Sequence, residues 1–458
     1  MVYICSECGN EFQKWAGQCG ACGAWNSLKE VTPRITGSKR RKGRVSSLHR
    51  STAQPVDLKL AVKQSSELHR IPTQISELDR VLGGEPEAGL VPGAAILLAG
   101  EPGIGKSTIL GQVSLQIAQM HKVIYASAEE SYAQVSSRLQ RLDAQLESLN
   151  NLQLLQTMRL EDLITTLQSN KPEVVIVDSV QTFASDQIEG VPGSVAQVKE
   201  VALQLIQICK SMQITLILVG HVTKDGNIAG PRLLEHMVDV VLWFEGDRSS
   251  ELRVMRAIKN RFGSTAEVGL FKMEGGGLIP VANPSEYFIA DRQSGVAGSV
   301  LSVVMEGTRP IIIEIQALVV STQLAMPRRV ATGLDYNRLQ MLIAVMTRRA
   351  GLRLGDKDVY VNVVGGLKIT QTMIDAAVCT ALWSADKDTP VPENQVIIGE
   401  IGLLGEIRRV PGVETVAKEI DRLEIGSLAG PQVRSSIKLP KSLKYRALKS
   451  VKDIKSFK

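Results

Sequence analysis

The chain has 458 residues, of which 44% are hydrophobic and 22% are charged, a composition that excludes wholesale disorder and collagen-like structure. Its length predicts two to four domains, and Lys and Arg outnumber Asp and Glu by 53 to 47, a formal charge of +6. No apolar run reaches the roughly 18–20 residues that a membrane span requires, and the N-terminus lacks a signal-peptide pattern. Six cysteines are too few for a disulfide scaffold, so we expect a cytoplasmic protein with no membrane partner.

Four of the six cysteines form two C-x2-C pairs near the N-terminus, separated by ten residues. They are Cys5, Cys8, Cys19 and Cys22. Each pair can turn two thiolates toward one ion, and two pairs complete a tetrahedron. We therefore predict a structural Zn²⁺ in a finger that spans residues 1–30. Two disulfides, or four unrelated buried thiols, are the alternatives.

Positive charge is concentrated at the two ends of the chain. Residues 1–50 carry +6 and residues 431–458 carry +8, so the intervening residues carry −8. A basic linker at 31–60 follows the predicted finger and contains the run KRRK at 39–42. Such segregated charge indicates contact with a polyanion, whereas solvated tails and a flexible tether are the modest alternatives.

Strand–helix alternation over residues 61–275 predicts an α/β domain. The predicted strands are apolar throughout, which is typical of a parallel sheet covered on both faces. The strands are predicted at 94–100, at the start of 122–131, at 173–180 and at 213–222, with helices at 107–120, 132–147 and 195–212.

A run of three glycines at 275–277, followed by two prolines, marks a second boundary. Beyond it, residues 285–458 are predicted to form a separate α+β domain of ordinary size. Its strands are predicted at 299–307, 310–320 and 358–366, and its helices at 335–350, 371–384 and 414–424.

Between the first predicted strand and helix lies GEPGIGKS, which matches the phosphate-binding pattern G-x4-G-K-[ST]. Glycines allow such a loop to turn its N–H groups toward phosphates, and the helix N-terminus favours negative charge. Lys106 would reach the β- and γ-phosphates of ATP, and Ser107 would coordinate Mg²⁺; a chance glycine-rich turn is the alternative. The predicted nucleotide-binding set is Gly100, Glu101, Pro102, Gly103, Ile104, Gly105, Lys106, Ser107 and Thr108.

Carboxylates follow two of the predicted strands. Asp178 closes the strand VVIVD, where it would support the Mg²⁺ shell; a helix-capping Asp is the alternative. Glu129 and Glu130 follow the strand VIYASA. We prefer Glu130 as the general base that holds the attacking water, and a solvated turn residue is the alternative for either Glu.

A short basic cluster, KNRFG, occupies residues 259–263. We predict catalytic roles for Lys259 and Arg261, because two cations there can stabilise the charge of phosphoryl transfer, including across a subunit boundary as an arginine finger. Ordinary surface charges are the alternative.

Together these motifs resemble those of the bacterial RadA/Sms family of recombination and repair proteins. The resemblance spans essentially the whole chain and rests on the four-cysteine finger, GEPGIGKST, KNRFG, PIIIEIQALV and VNVVGG. It implies a RecA-like ATPase core followed by a Lon-protease-like domain. It also implies an ATP-driven motor that forms a hexameric homo-oligomeric ring, binds single-stranded and branched DNA, promotes branch migration and works beside a RecA-type recombinase. In that setting Lys259 and Arg261 become candidates for coupling nucleotide to DNA.

The resemblance also implies where DNA and nucleotide state are sensed. RecA-like cores hold DNA at two loops, which match residues 183–197 and 222–232, and the available cations are Lys224 and Arg232. His221 occupies the position of a γ-phosphate sensor, with a satisfied strand-end histidine as the alternative. Aromatic residues make up only 4% of the chain, so we expect DNA binding by backbone contacts rather than by base stacking.

The Lon-like segment lacks the Ser–Lys dyad that a Lon-type peptidase requires. The serine position carries Met373 and the lysine position carries Glu414, so peptidase activity is not expected. The domain is predicted to mediate ring assembly and DNA contact, with Arg328, Arg329 and the basic tail at 438–458 as candidates.

Two other functions fit parts of the sequence. A KaiC-like ATPase that acts as a protein-interaction switch explains the P-loop core but leaves the basic ends and KNRFG without a role. An ATP-dependent peptidase conflicts with the residues at the dyad positions.

Overall fold

The computed structural model describes residues 2–5, 11–12, 14–20, 23, 25–26, 28–31, 57–59, 69–84, 87–143, 149–221, 231–246, 251–324 and 326–457. Most of the predicted basic linker therefore lies outside the described residues. The chain divides into two compact units. The first comprises Met1–Glu245, Met255–Thr265 and Met273–Leu278, and the second comprises Gly246–Val254, Ala266–Lys272 and Ile279–Lys458.

A small antiparallel sheet forms the described part of the N-terminal segment. Its strands are β1 (Val2–Cys5), β2 (Glu11–Phe12) and β3 (Leu28–Val31), in the order β2-β1-β3. Between β2 and β3 a hairpin is closed by the hydrogen bond from Gly23 N to Cys19 O (2.9 Å). Gly23 has a φ of +73°, which only glycine adopts without strain. The glycine that follows Cys22 is therefore a requirement of this turn.

Six parallel strands form the centre of the first unit. They are β4 (Ala95–Gly100), β5 (Val123–Ser127), β6 (Leu152–Gln156), β7 (Val174–Asp178), β8 (Thr215–His221) and β9 (Val240–Glu245), in the spatial order β9-β4-β8-β7-β5-β6. Every residue of β4, β5 and β7 is buried, as expected for a parallel sheet covered on both faces. The predicted α/β fold class is confirmed.

The helices of the first unit connect these strands. They are α1 (Ser76–Leu82), α2 (Lys106–Ile117), α3 (Tyr132–Leu142), α4 (Leu160–Asn170), α5 (Val195–Ser211) and α6 (Pro231–Met237), with a 3₁₀ turn at Val180–Thr182. Because the strands are parallel, the residues that follow β4, β5 and β7 emerge at the same edge of the sheet. The P-loop, the two glutamates and Asp178 are therefore brought to that edge.

Three further strands continue this sheet beyond β9, and parts of them belong to the second unit. They are β10 (Leu252–Asn260), β11 (Val268–Glu274) and β12 (Gly277–Pro280), in the order β9-β10-β11-β12. The second unit thus takes up two segments that precede residue 275. The limits 61–275 and 285–458 stay predictions.

The second unit contains a seven-stranded mixed sheet. Its strands, in the order β15-β16-β14-β13-β17-β20-β21, are β13 (Ser299–Glu306), β14 (Arg309–Ser321), β15 (Arg329–Thr332), β16 (Lys357–Val363), β17 (Gln395–Ile397), β20 (Ser427–Pro431) and β21 (Lys444–Leu448). A separate two-stranded sheet is formed by β18 (Glu400–Ile401) and β19 (Ile407–Arg408). The helices are α7 (Pro284–Ile289), α8 (Tyr336–Ala350), α9 (Asp375–Lys387) and α10 (Val413–Arg422), with 3₁₀ turns at Thr372–Ile374 and Asp453–Ser456.

Apolar side chains project from both faces of this sheet. On β14, Ile311 and Ile313 pack with α8 and α9, whereas Ile312 packs with α10. Because successive strand residues point to opposite faces, the continuous run PIIIEI produces a sheet with a core on each side.

The predicted basic tail is not a tail over residues 444–457. Strand β21 pairs with β20, and Leu448, Val451, Ile454 and Phe457 are each 1% exposed or less. An apolar residue at every third position fixes this segment against the core, so the lysines between them lie on a folded surface. The alternative of a solvated tail therefore does not hold over residues 444–457.

No helix within the ranges described above combines the length and the apolar character that crossing a membrane requires.

Candidate nucleotide-binding site and adjoining motifs

The P-loop wraps tightly between β4 and α2, and glycine is required at both of its ends. A Cβ at Gly100 would lie 2.3 Å from the carbonyl oxygen of Phe244, and one at Gly105 would lie 2.7 Å from Met273 Cε. Gly105 also has a φ of +114° and stands immediately before the first residue of α2. The loop therefore ends directly at the N-terminus of α2, where unpaired backbone N–H groups favour an anion.

Lys106 is the first residue of α2 and is only 4% exposed. Its Nζ donates to the carbonyl oxygens of Gly100 (2.8 Å) and Glu101 (2.9 Å). Burial lowers the pKa of Lys106, while the charges of Asp178 and Glu129 act in the opposite direction. The ammonium is therefore held inside the loop by carbonyl oxygens that a phosphate can replace.

Asp178 ends β7 and is 7% exposed. Its Oδ2 accepts a hydrogen bond from the hydroxyl of Tyr125 on β5 (2.7 Å). The next residue, Ser179, donates its hydroxyl to Glu129 Oε1 (2.6 Å). Glu130 is instead engaged by Arg138 of α3 in an ion pair. The two glutamates therefore differ, since Glu129 is bound by the serine that follows Asp178 and Glu130 is bound by a cation.

A cavity of about 600 Å³ opens over the P-loop. Its lining includes the predicted Gly103, Gly105, Lys106, Ser107, Thr108 and Glu130. The remaining lining residues are Ala133, Gln134, Ser137, Arg138 and Arg141 of α3. This helix face and Tyr125 were not predicted from the sequence, although the spacing of Gln134, Arg138 and Arg141 along one helix is visible in it.

The cavity fits a magnesium nucleotide. Its glycines leave room for phosphates, and the lysine supplies positive charge. The Ser107 hydroxyl, which lines the cavity, is an oxygen donor of the kind that Mg²⁺ prefers. The Asp178 carboxylate is outside the lining but close enough for its charge to act on Lys106.

The KNRFG segment is held inside its own unit. Lys259 Nζ donates to two carbonyl oxygens, both at 2.7 Å. One belongs to Glu235 in the last turn of α6, and the other to Val238 just after that helix. Burial and the neighbouring charge of Arg261 lower the pKa of Lys259. The Arg261 guanidinium lies 3.1 Å from Asp239 Oδ1. Among the described residues that line the P-loop cavity, neither of these two cations occurs, so the structure does not bring them to the nucleotide site of the same chain.

Asp239 is a second residue that the sequence analysis missed. It is 3% exposed, accepts from the backbone N–H of Ala95 (3.1 Å), and lies 2.9 Å from Lys210 Nζ as well as near Arg261. Its sequence signal is weak, because a single Asp between apolar residues before a strand is common.

Two other residues of KNRFG contact the end of α1 and the residue Arg70 that precedes it. Asn260 Nδ2 donates to Leu82 O (3.0 Å), and Arg70 donates to Phe262 O (2.7 Å). This motif therefore caps the end of one helix and joins it to β10.

The predicted DNA loops are only partly described. Residues 183–197 carry no Lys or Arg, and Gln197 ties this loop down through Ser185 and Ile188. Residues 222–230 with Lys224, and the side chains of His221 and Arg232, lie outside the described part of the structure. Their predicted roles stay predictions.

Two arginines proposed for DNA contact differ in availability. Arg328 is exposed, but the Arg329 guanidinium donates to the carbonyl oxygens of Arg328, Leu354 and Lys357. Arg329 is therefore occupied in holding β15 to the turn before β16, and its prediction as a DNA contact is not supported by this geometry.

The two positions that correspond to the peptidase dyad differ in their surroundings. Met373 is 3% exposed within an apolar cluster that includes Val413 and Val416. Glu414 pairs with Lys418 (3.1 Å) on the surface of α10.

Of the four predicted zinc ligands, Cys19 is buried, at 1% exposure. Cys8 and Cys22 lie outside the described residues, and only the backbone of Cys5 is described. Residues 3–30 match the model of the rubredoxin metal binding domain, a zinc ribbon, so an N-terminal zinc-ribbon domain is present.

Known proteins resemble the chain over nearly its whole length. Residues 60–227 match the AAA domain model, which covers the P-loop and Asp178. A DNA repair protein RadA of Streptococcus pyogenes serotype M3 is 44% identical over 431 residues, which cover 94% of this chain and 92% of that protein. The chain belongs to the RadA family of DNA repair proteins.

Two further family members give the same result. The RadA of Bacillus subtilis is 45% identical over 92% of this chain and 90% of its own, and that of Pseudomonas aeruginosa is 44% identical over 91% and 90%. Both alignments extend far beyond the AAA domain, so the family relationship includes the second unit. The resemblance inferred from the motifs is confirmed.

Proposed function

We propose that this protein is an ATP-driven DNA motor of recombinational repair that binds single-stranded and branched DNA and promotes branch migration. The observation that carries the proposal is the cradle formed by the P-loop, Lys106 and Asp178 in a chain of the RadA family, whose curated members are named DNA repair proteins. Hydrolysis of ATP provides the free energy, and the basic surfaces provide the contact with phosphates.

Each residue of the cradle has a distinct task. The amides of Gly100–Thr108 receive phosphate oxygens, Lys106 moves from carbonyl oxygens to the β- and γ-phosphates, and Ser107 and Asp178 hold Mg²⁺. Bound Mg²⁺ supplies charge neutralisation at the phosphates. The candidate finger residues Lys259 and Arg261 would act on a neighbouring subunit, and Arg261 is the more available because its side chain is 56% exposed.

The general base is better assigned to Glu129 than to Glu130. Glu129 accepts from Ser179 beside Asp178 and attracts the Lys106 ammonium, so it faces the phosphate end of the site. Glu130 lines the cavity, but a guanidinium already occupies one of its oxygens.

DNA contact is proposed for the basic edge, defined as the exposed cations Arg434, Lys438, Lys441, Lys444, Arg446, Lys449, Lys452 and Lys455 on and around β21. Within the described residues, none of them lies in an ion pair. Asp453, the one carboxylate among residues 431–458, accepts from the backbone amides of Lys449 and Ser450. A surface of lysines without exposed large apolar side chains suits a phosphate backbone better than a protein partner.

The assembly and the cofactors complete the proposal. We propose a hexameric homo-oligomeric ring, a RecA-type recombinase as partner, and one Zn²⁺ held by Cys5, Cys8, Cys19 and Cys22. Four thiolates at this spacing suit tetrahedral Zn²⁺.

The decisive experiment is ATP turnover by the full chain, with and without a single-stranded oligonucleotide, over roughly 50–200 mM salt. We expect DNA to stimulate turnover and the stimulation to fall steeply as salt rises, because phosphate contacts release counterions. Turnover that ignores DNA, together with no DNA binding at the lowest salt, would contradict the motor and favour a KaiC-like interaction switch.

A further inference from the structure

A chain of buried polar side chains runs beneath the nucleotide cavity, from α3 to the end of β7. Arg138 donates to Glu130 through Nη1 and to the hydroxyl of Tyr125 through Nη2 (3.2 Å). That hydroxyl in turn donates to Asp178 Oδ2 (2.7 Å). The Arg138 guanidinium therefore contacts Glu130 directly and is connected to Asp178 through the hydroxyl of Tyr125.

The two middle members of this series, Tyr125 and Arg138, are buried. Tyr125 is 1% exposed on β5, and Arg138 is 8% exposed and lies 5.9 Å from the centre of the tyrosine ring. Its hydroxyl accepts from Arg138 and donates to Asp178, so both sides of the phenol oxygen are engaged. The Arg138 Nε is buried, and no acceptor in the described part of the chain lies within hydrogen-bond distance of it.

The phenol holds one oxygen of the Asp178 carboxylate. A hydrogen bond to Oδ2 opposes rotation of the carboxylate and favours the orientation in which this oxygen faces Tyr125. Partners of this kind, which bind a metal-supporting side chain rather than the metal, typically change metal affinity or activity by about 10–100-fold when they are removed.

We propose that Tyr125 and Arg138 are positioning residues that orient Asp178 toward Mg²⁺, with Arg138 acting through Tyr125. The inference rests on the proposed ATPase function and assigns two residues that neither the P-loop pattern nor the aspartate motif contains. Because Gln134, Ser137 and Arg141 of the same helix line the cavity, the inference also makes α3 the element that links a filled cavity to the orientation of the metal-binding carboxylate.

The test removes a single oxygen atom. In Tyr125→Phe, we expect the Mg²⁺ concentration for half-maximal binding of a non-hydrolysable ATP analogue, measured by calorimetry, to rise about 10-fold or more. Binding of the analogue in EDTA, which depends on the P-loop amides and Lys106, stays within about twofold of wild type. This split between metal-dependent and metal-free binding is one that a general loss of stability does not produce.

A second variant tests the order of the relay. Arg138→Met removes both donors while keeping an unbranched side chain in the same space. If Arg138 acts through Tyr125, the double variant has no higher Mg²⁺ requirement than the worse of the two single variants. Fold-changes that multiply in the double variant would show that the two residues act independently, and the relay would be refuted.

The matched control is Tyr445→Phe in the second unit, whose hydroxyl donates to Pro431 O. It loses a comparable hydrogen bond, and we expect its Mg²⁺ requirement to equal that of wild type. A Tyr125→Phe variant that lowers Tm but leaves the Mg²⁺ requirement unchanged overturns the positioning role alone. A wild-type chain that fails to bind the analogue with Mg²⁺ contradicts the proposed ATPase function and, with it, the relay.

Discussion

Lys106 is the residue on which phosphate binding depends most directly. Its ammonium is buried among carbonyl oxygens, so the positive charge is already inside the loop before any phosphate enters. Because the loop backbone rather than this side chain sets the fold there, removing the charge affects function more than stability.

We predict that Lys106→Ala lowers the rate of ATP turnover by about 100-fold or more while the chain remains folded. The lost contact stabilises charge that develops on the transferred phosphoryl group. Steady-state hydrolysis and a thermal melt measured together check this, and hydrolysis near the wild-type rate would refute the site assignment.

The two adjacent glutamates provide their own matched control. We predict that Glu129→Gln lowers kcat about 100-fold with nucleotide binding retained, because general-base catalysis contributes about 10²–10⁴-fold. Glu130→Gln is expected to lower kcat by less than about 10-fold, since it weakens only the pairing with Arg138. The opposite ranking in the same assay would restore Glu130 as the base.

At the scale of elements, KNRFG is a junction. Its lysine caps α6, its asparagine caps α1, and its arginine joins Lys210 at the buried carboxylate of Asp239. The motif therefore fixes the position at which β10 ends. This structural role explains its composition in addition to the proposed catalytic role.

Asp239→Asn tests this junction. We predict a loss of about 1–2 kcal/mol in the free energy of unfolding. The amide still accepts from Ala95 but leaves two cations without their partner, and the partial exposure of both cations reduces the cost. Urea denaturation at low salt measures the loss. The surface pair of Arg159 with Asp186 supplies the control, because Asp186→Asn is expected to change stability by less than about 0.5 kcal/mol, and equal effects would contradict the junction.

In the N-terminal zinc ribbon, zinc binding can be tested separately from ring assembly. We predict that Cys8→Ser loses the bound zinc, while ring assembly, which we assign to the other units, survives. Metal content by mass spectrometry and particle size by light scattering decide the two halves of this prediction. Zinc that stays at one per chain would exclude the four-cysteine site.

For the molecule as a whole, the C-terminal segment contains two sets of side chains with different roles. Its buried apolar side chains support folding, and the exposed cations of the basic edge are proposed to contact DNA. We predict that deletion of residues 444–458 disrupts the second unit, because each deleted apolar side chain fills a site worth about 2–5 kcal/mol. Replacement of Lys444, Lys449 and Lys452 by Gln is instead expected to leave Tm unchanged.

The same triple replacement is predicted to weaken DNA binding and to reduce the slope of log affinity against log salt by about 2, since each lost phosphate contact removes about 0.7–0.9. A matched replacement of the exposed Lys122, Lys171 and Lys199 of the first unit lowers net charge equally and serves as the control. If both triple variants bind DNA alike, net charge rather than this edge determines binding.

Local patterns were sufficient for much of this molecule. An apolar strand, a glycine-rich loop and a helix in succession define a P-loop, because the phosphate cradle is built from consecutive residues, and alternation of strand and helix defines a parallel sheet. The cysteine spacing and the family motifs are likewise contiguous, which is why the fold class and the family followed from the sequence.

Other features arise only when distant segments meet. Tyr125 reaches Asp178 because β5 and β7 are neighbours in the sheet, and Arg138 of α3 donates to the Tyr125 hydroxyl. Asp239 receives its cations from two other elements. The lysine-rich C-terminus resembles a tail in composition, yet strand pairing and four buried side chains fold it into a sheet edge. Hydrogen bonding and burial join residues far apart in the chain, so the tertiary structure alone decided which cations are free to bind phosphate and which hold the fold.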